Sequence, residues 1–224
     1  VIGIEHRPDE LQLVMINGNR EKTDSKVEAL PESISNGKRL ERMIELTEKF
    51  KNSNRKMTVA AIGIADVGIV DMAKGTGLFS AHVNDWKDVN VCGAFSEHFK
   101  VPCNIIDRIN ASCLESNFRN SKPDDQPSCI QVWITDGIGV SIMHNGDFWG
   151  RSFPFSGQLG HTVVMPGGDV CRCGNRGCLE TVASIPAVVG YAKSLTGDNA
   201  LELDEIMKKA AVGDRVCGLV LREA

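Results

Sequence analysis

Two short apolar runs of β-favouring residues open the chain, residues 1–5 and 11–16. The segment Arg7-Pro8-Asp9-Glu10 separates them as a turn signal, so two β-rich runs joined by a proline turn predict a β-hairpin. Gly18-Asn19 marks the next turn. Leu40, Met43, Ile44 and Leu46 then recur at helical spacing and predict a helix over residues 40–50. Residues 57–65 read as a buried strand closed by Val67-Gly68. The pattern continues as a helix over 91–99, a strand over 101–106 and a helix over 111–118. Asp107 falls at the carboxyl end of that strand, where ligands collect in open α/β sheets.

A polar, proline-containing stretch over 120–128 interrupts this alternation, and the pattern then restarts. Residues 129–135 and 138–143 read as strands joined by Asp136-Gly137, with Asn145-Gly146 as a further turn. Two segments that each open on a β-hairpin predict a duplicated α/β arrangement, with lobes at 1–122 and 123–224. The chain starts at Val1 without Met and stops at Ala224 inside a helical pattern. It is therefore expected to be a fragment whose second lobe is incomplete.

Composition narrows the class. At 224 residues, with 42% hydrophobic and 24% charged positions, the chain can bury a substantial core as an ordinary globular protein. A formal net charge of -4 argues against a broad nucleic-acid footprint within these residues. No apolar run approaches the ~20 residues a membrane span needs, and no basic-then-apolar leader opens the sequence. Cys92, Cys103, Cys113, Cys129 and Cys217 lie in apolar or mixed surroundings without regular spacing. They read as free thiols of a reducing compartment, and the expected location is cytoplasmic.

The remaining cysteines carry the most specific signal. His161 is followed by Cys171-Arg172-Cys173-Gly174-Asn175-Arg176-Gly177-Cys178-Leu179-Glu180. One imidazole and three thiols in a turn-rich segment match a closed, tetrahedral structural zinc site. The alternative is three unrelated buried cysteines beside a core histidine.

Together these segments resemble the ROK family of sugar kinases and sugar-responsive transcriptional repressors. The resemblance covers nearly the whole chain. It rests on Gly63-Ile64-Ala65-Asp66-Val67-Gly68-Ile69-Val70-Asp71, on Trp86-Lys87-Asp88-Val89, and on Thr135-Asp136-Gly137-Ile138-Gly139 as a second phosphate loop. Gly157-Gln158-Leu159-Gly160-His161 and the cysteine cluster complete it and are its most specific part. The resemblance implies an α/β fold of paired actin-like, ribonuclease-H-like lobes with an inter-lobe cleft. It also implies zinc ligation by His161, Cys171, Cys173 and Cys178, and sugar contacts from Asp107, Gln158, His161 and Glu180. Asp107 matches the catalytic base of the kinases, with Glu115 eight residues on. Gly137 and Gly139 are the weakly matching nucleotide-binding positions. Asp107 also reads as a helix N-cap, and Glu180 as a solvated carboxylate at a helix start.

Three departures from the kinase pattern bear on function. The family's glycine-rich Asp-x-Gly-Gly-Thr loop is replaced by Glu5-His6-Arg7-Pro8, which adds bulk and removes an N–H that could meet a phosphate. Asp136 adds a negative charge beside the second phosphate loop. Ile106 and Gln158 stand where the family carries asparagine and glutamate, although a glutamine still donates and accepts. The resemblance therefore implies the effector-binding part of a sugar-responsive regulator. Its DNA-binding domain would lie outside these residues, its ligand would be a small sugar or sugar phosphate, and it would form homo-oligomers. ATP and Mg2+ are not expected. The alternatives are an ATP-dependent hexose or N-acetylhexosamine kinase, or a sugar binder with neither activity.

Overall fold

The computed structural model describes residues 1–31, 34–120, 126–150 and 153–224. The expected 122/123 boundary lies outside them, as does most of the 120–128 linker. The chain forms two compact units, one of residues 1–127 with 144–156 and one of residues 128–143 with 157–224.

The first unit is built on a five-stranded sheet. Strand β1 (Ile2–His6) pairs antiparallel with β2 (Glu10–Ile16), and β2 pairs with β3 (Lys22–Ala29). On its other side β1 runs parallel to β4 (Ile62–Asp66), and β4 runs parallel to β8 (Cys103–Asp107). The order β3-β2-β1-β4-β8 puts the two parallel pairings at the centre and far edge. Three short strands, β5 (Ile69–Asp71), β6 (Thr76–Phe79) and β7 (Lys87–Val89), form a separate antiparallel sheet.

Alternation decides what the large sheet buries. Ile2, Ile4, Leu11, Leu13, Met15, Ile62, Ile64 and Ile105 project to one face. There they meet Met43, Leu46 and Phe50 of helix α1 (Asn36–Ser53) and Phe95 and Phe99 of α2 (Val91–Phe99). Asn90 caps α2 by accepting from the Gly93 amide at 3.0 Å. Helix α3 (Arg108–Asn120) follows β8 directly.

The first-unit helices fall where periodicity puts them, while two strands are shorter than expected. The 57–65 run becomes a strand only at Ile62, because its ladder begins where β1 begins: Ile62 pairs with Ile2. The 101–106 run starts at Cys103, just after Pro102, which has no N–H for the ladder. Strand β3 was not anticipated at all. Its sequence, KTDSKVEA, is exposed at nearly every position and carries no apolar alternation. It is an edge strand guarded by lysines.

In the second unit, β9 (Cys129–Ile134) and β10 (Ile138–His144) form an antiparallel hairpin. Four helices follow the cysteine segment: α4 (Glu180–Ala183), α5 (Ile185–Thr196), α6 (Leu203–Ala211) and α7 (Arg215–Glu223). Val188, Val189, Ala192, Leu201, Ile206, Cys217 and Val220 make their core. Ser184 caps α5, Gly197 ends it in a left-handed conformation, and Asp214 caps α7. Among the described residues, no helix is long and apolar enough to cross a membrane.

Candidate functional site

Asp107 ends β8 and opens α3. Its Oδ1 accepts from the Asn110 amide at 2.9 Å and its Oδ2 from the Asn110 side chain at 2.5 Å. The capping role is therefore real, and it leaves the carboxyl at the strand's end. Burial pushes its pKa above the ordinary carboxylate range, against the pull of the Asn110 hydrogen bonds. Glu115 is exposed on α3.

The turn between β1 and β2 closes on itself. The Arg7 amide donates to Glu10 O at 3.0 Å, and Pro8 has no N–H to offer. Arg7 spans Glu5 and Glu10 with contacts of 3.0 Å to each, and Arg108 reaches Glu5 at 2.8 Å. Beneath the turn lies a buried polar network that sequence reasoning did not single out. His6 Nδ1 lies 2.5 Å from Asp66 Oδ1, and Trp86 Nε1 donates to Asp66 Oδ2 at 2.9 Å. Arg39 approaches His6 Nε2 at 3.1 Å and donates to Pro8 O and Pro31 O, each at 2.9 Å. Since arginine only donates, Nε2 accepts and Nδ1 carries the proton toward Asp66. Asp66 and Trp86 both fall in segments that carried the family resemblance, which is the signal that could have flagged them.

In the second unit the glycines of Gly157-Gln158-Leu159-Gly160 are dictated by close approach. A Cβ on Gly160 would lie 2.3 Å from Ile138 O, and one on Gly157, at φ 84°, would lie 2.4 Å from Val140 O. This lets a single 3-10 turn, Leu159–His161, pack against the β10 backbone. Gln158 stands half-buried immediately before that turn.

The turn presents His161 to the cysteines. The Cys171 amide donates to Asn175 O at 2.8 Å, and Gly174 at φ 92° folds the segment back. The ligand atoms of His161, Cys171, Cys173 and Cys178 then lie within 4.8 Å of one another. His161 Nδ1 is 3.5 Å from Cys171 Sγ, and Cys173 Sγ is 3.7 Å from Cys178 Sγ, far beyond disulfide length. Cys171 and Cys178 are buried and Cys173 is exposed. The four form a donor set that can hold a metal ion.

Glu180 is not solvated. It is buried, accepts from the Ile138 amide at 3.3 Å, and pairs with Arg172 at 3.2 Å. A Cβ on Gly137 would stand 2.6 Å from its Oε2, so a larger residue there would displace the carboxylate. Gly139 sits in register with Trp133 on the hairpin. Arg172, which the sequence reading passed over, also donates to Asp136 O at 3.2 Å. It thereby ties the cysteine turn both to Glu180 and to the 135–137 turn. The structure places Asp107 in the first unit, and Gln158, His161 and Glu180 in the second.

A sheet with parallel β1-β4-β8 pairing, extended by antiparallel β2 and β3, is the ribonuclease-H-like core of the actin-like sugar kinase fold. Solved structures bear this out. A ROK family transcriptional regulator homologous to Escherichia coli MLC matches at a TM-score of 0.81 and 21% identity, over 99% of this chain and 58% of that one. A ROK family glucokinase from Streptomyces griseus matches at 0.74 and 22% identity, over 100% of this chain and 74% of that one. The ROK family profile matches residues 1–224, and the chain belongs to that family.

Its curated relatives include repressors. The xylose repressor of Caldicellulosiruptor bescii is 26% identical over 100% of this chain. The xylose repressor of Bacillus subtilis is 32% identical over 68% of the chain, and the transcriptional dual regulator NagC of Escherichia coli is 32% identical over 72%. The chain spans 59%, 38% and 41% of the lengths of these three relatives.

Proposed function

We propose that these residues are the effector-binding part of a sugar-responsive transcriptional regulator of the ROK family. One observation carries the reading. Where the kinases of the family hold ATP phosphates against open glycine backbone, this chain has a turn filled by Arg7, Pro8 and the ion pairs of Glu5 and Glu10. The similarity to xylose repressors and to NagC supports it. Asp107, Gln158, His161 and Glu180 contact the sugar through its hydroxyls. The DNA-binding domain lies outside these residues, and the protein works as a cytoplasmic homo-oligomer with lobes at 1–122 and 123–224.

His161, Cys171, Cys173 and Cys178 hold a structural zinc ion in this reading. Tetrahedral zinc with the usual Zn–S and Zn–N distances has S···S edges of about 3.8 Å and N···S edges of about 3.6 Å. The observed 3.7 Å and 3.5 Å support that ion. Bound zinc would supply rigidity and no chemistry, since four protein ligands leave no open position. His161 ligates through Nδ1, so its Nε2 remains for a sugar hydroxyl. Arg172, between two of the ligands, holds Glu180 in place.

A kinase is the second reading, favoured by Asp107 at a strand's carboxyl end and by Gly137 and Gly139 at the turn and start of β10. Calorimetry with xylose, glucose and N-acetylglucosamine, alongside an ADP-release assay, separates the two. The regulator reading expects saturable binding of one sugar with no ADP formed. Sugar-dependent ADP release would replace it with the kinase.

A further inference from the structure

One cluster of charges at the carboxyl ends of β1 and β8 contributes nothing to binding in the reading above. Arg7 grips Glu5 with two contacts, Nε to Oε1 at 3.0 Å and Nη2 to Oε2 at 3.2 Å. Its Nη1 goes to Glu10 Oε1 at 3.0 Å, which also accepts from Gln12 at 2.7 Å. From the first residue of α3, Arg108 Nε lies 2.8 Å from the same Glu5 Oε1, a charge contact without hydrogen-bond geometry. One carboxylate thus sits between two guanidinium groups.

Position gives this arrangement its meaning. Glu5 is in register with Ala65, and Ala65 with Ile106, so Glu5 is level with the residue before Asp107. Two strand spacings separate them, about 10 Å. The side chains of Arg7, Glu5 and Arg108 are 35%, 27% and 33% exposed, so dissolved anions can reach the guanidinium groups even though Arg108 Nε itself is buried. A guanidinium fork fits a phosphate as well as it fits a carboxylate. Arg7 and Arg108 without Glu5 would make an anion site beside Asp107. With Glu5 in place Arg7 is hydrogen-bonded to it and Arg108 is charge-paired with it, and the carboxylates of Glu5, Glu10 and Asp107 set a local field that opposes a dianion.

We propose that Glu5 is a built-in stand-in for a phosphate group. By engaging Arg7 and Arg108, it excludes phosphate-bearing ligands, nucleotide or phosphorylated sugar, and restricts the effector to an uncharged sugar. Only the second half rests on the sugar site proposed above. The exclusion of phosphate stands on the ion pairs alone.

Calorimetric titration of the intact protein with pyrophosphate tests the exclusion directly. Wild type is expected to show no saturable binding up to about 1 mM, and Glu5→Gln, nearly isosteric but uncharged, to gain about tenfold or more in affinity. Adding Arg108→Ala to Glu5→Gln should remove the gain. Equal pyrophosphate affinity in wild type and Glu5→Gln overturns the proposal, as does a folded Glu5→Gln protein with no gain. Wild type also decides without any variant: tighter binding of glucose 6-phosphate than of glucose overturns it. If no sugar binds but Glu5→Gln takes up pyrophosphate, the sugar reading fails and the exclusion of phosphate survives.

Discussion

Replacing Asp66 by Ala should remove much of the stability of the first unit. The Asp66 carboxylate is buried and accepts from His6 Nδ1 at 2.5 Å, Trp86 Nε1 at 2.9 Å and the Val67 amide at 3.0 Å. Truncation leaves the His6 and Trp86 donors in an apolar surround without an acceptor, at about 1–3 kcal/mol each. It also removes the negative charge that faces Arg39 through His6, and breaking a buried ionic network by one partner costs about 3–5 kcal/mol. These costs describe one network and do not add, so the expected loss is about 3–5 kcal/mol. A typical domain has about 5–15 kcal/mol in total. Asp66→Asn keeps an acceptor for Trp86 and turns an amide toward donors, so it should cost about 1–2 kcal/mol. Urea unfolding followed by tryptophan fluorescence reads both values, as lower midpoints at an unchanged slope. An Asp66→Ala protein within about 1 kcal/mol of wild type would refute the reasoning. It would mean that the network is satisfied by water or is not formed.

Three further outcomes are expected. Cys173→Ser should lose zinc from the purified protein and loosen the 157–180 region, and unchanged metal content by elemental analysis removes Cys173 from the ligand set. Gly177→Ala should disrupt the same region by about 3 kcal/mol or more, because its Cβ would stand 1.6 Å from Met165 O at φ 69°; an unchanged thermal midpoint contradicts this. Asp107→Ala should weaken sugar binding at least about tenfold. Since burial raises the Asp107 pKa and the sugar requires the ionised carboxylate, wild-type affinity should fall with decreasing pH at a midpoint above the ordinary carboxylate range. Affinity that is flat with pH through that range, or unchanged in Asp107→Ala, removes Asp107 from the site.

What the sequence revealed follows from which forces leave a periodic or spaced trace. The core of the first unit was legible because its strands alternate and α1 and α2 repeat at helical spacing. The cluster of His161, Cys171, Cys173 and Cys178, which can hold a metal ion, was legible because the cysteines are close in sequence. Strand β3 left no trace, since an edge strand exposed along its length has no buried face to write into the pattern. The sequence also carries no sign of which face of β9 is covered: Ile130, Val132 and Ile134 are the exposed residues and Cys129, Gln131 and Trp133 the half-buried ones. Glu180 also read as a solvated helix-start residue, because its partners Ile138 and Arg172 are fixed by tertiary contacts. The Glu5, Arg7 and Arg108 cluster joins residues about 100 positions apart, a distance no local motif spans. The missing glycines of the first phosphate loop were visible, but the ion pairs that fill it were not.

The central claim, a sugar sensor that has given up phosphoryl transfer, is tested most directly by one measurement on the intact protein. Each candidate sugar is titrated by calorimetry with and without Mg2+-ATP, and ADP is assayed in the same cell. The account expects one sugar to bind saturably with the same affinity in both titrations and no ADP to form. ATP binding, or sugar-dependent ADP release, would contradict it.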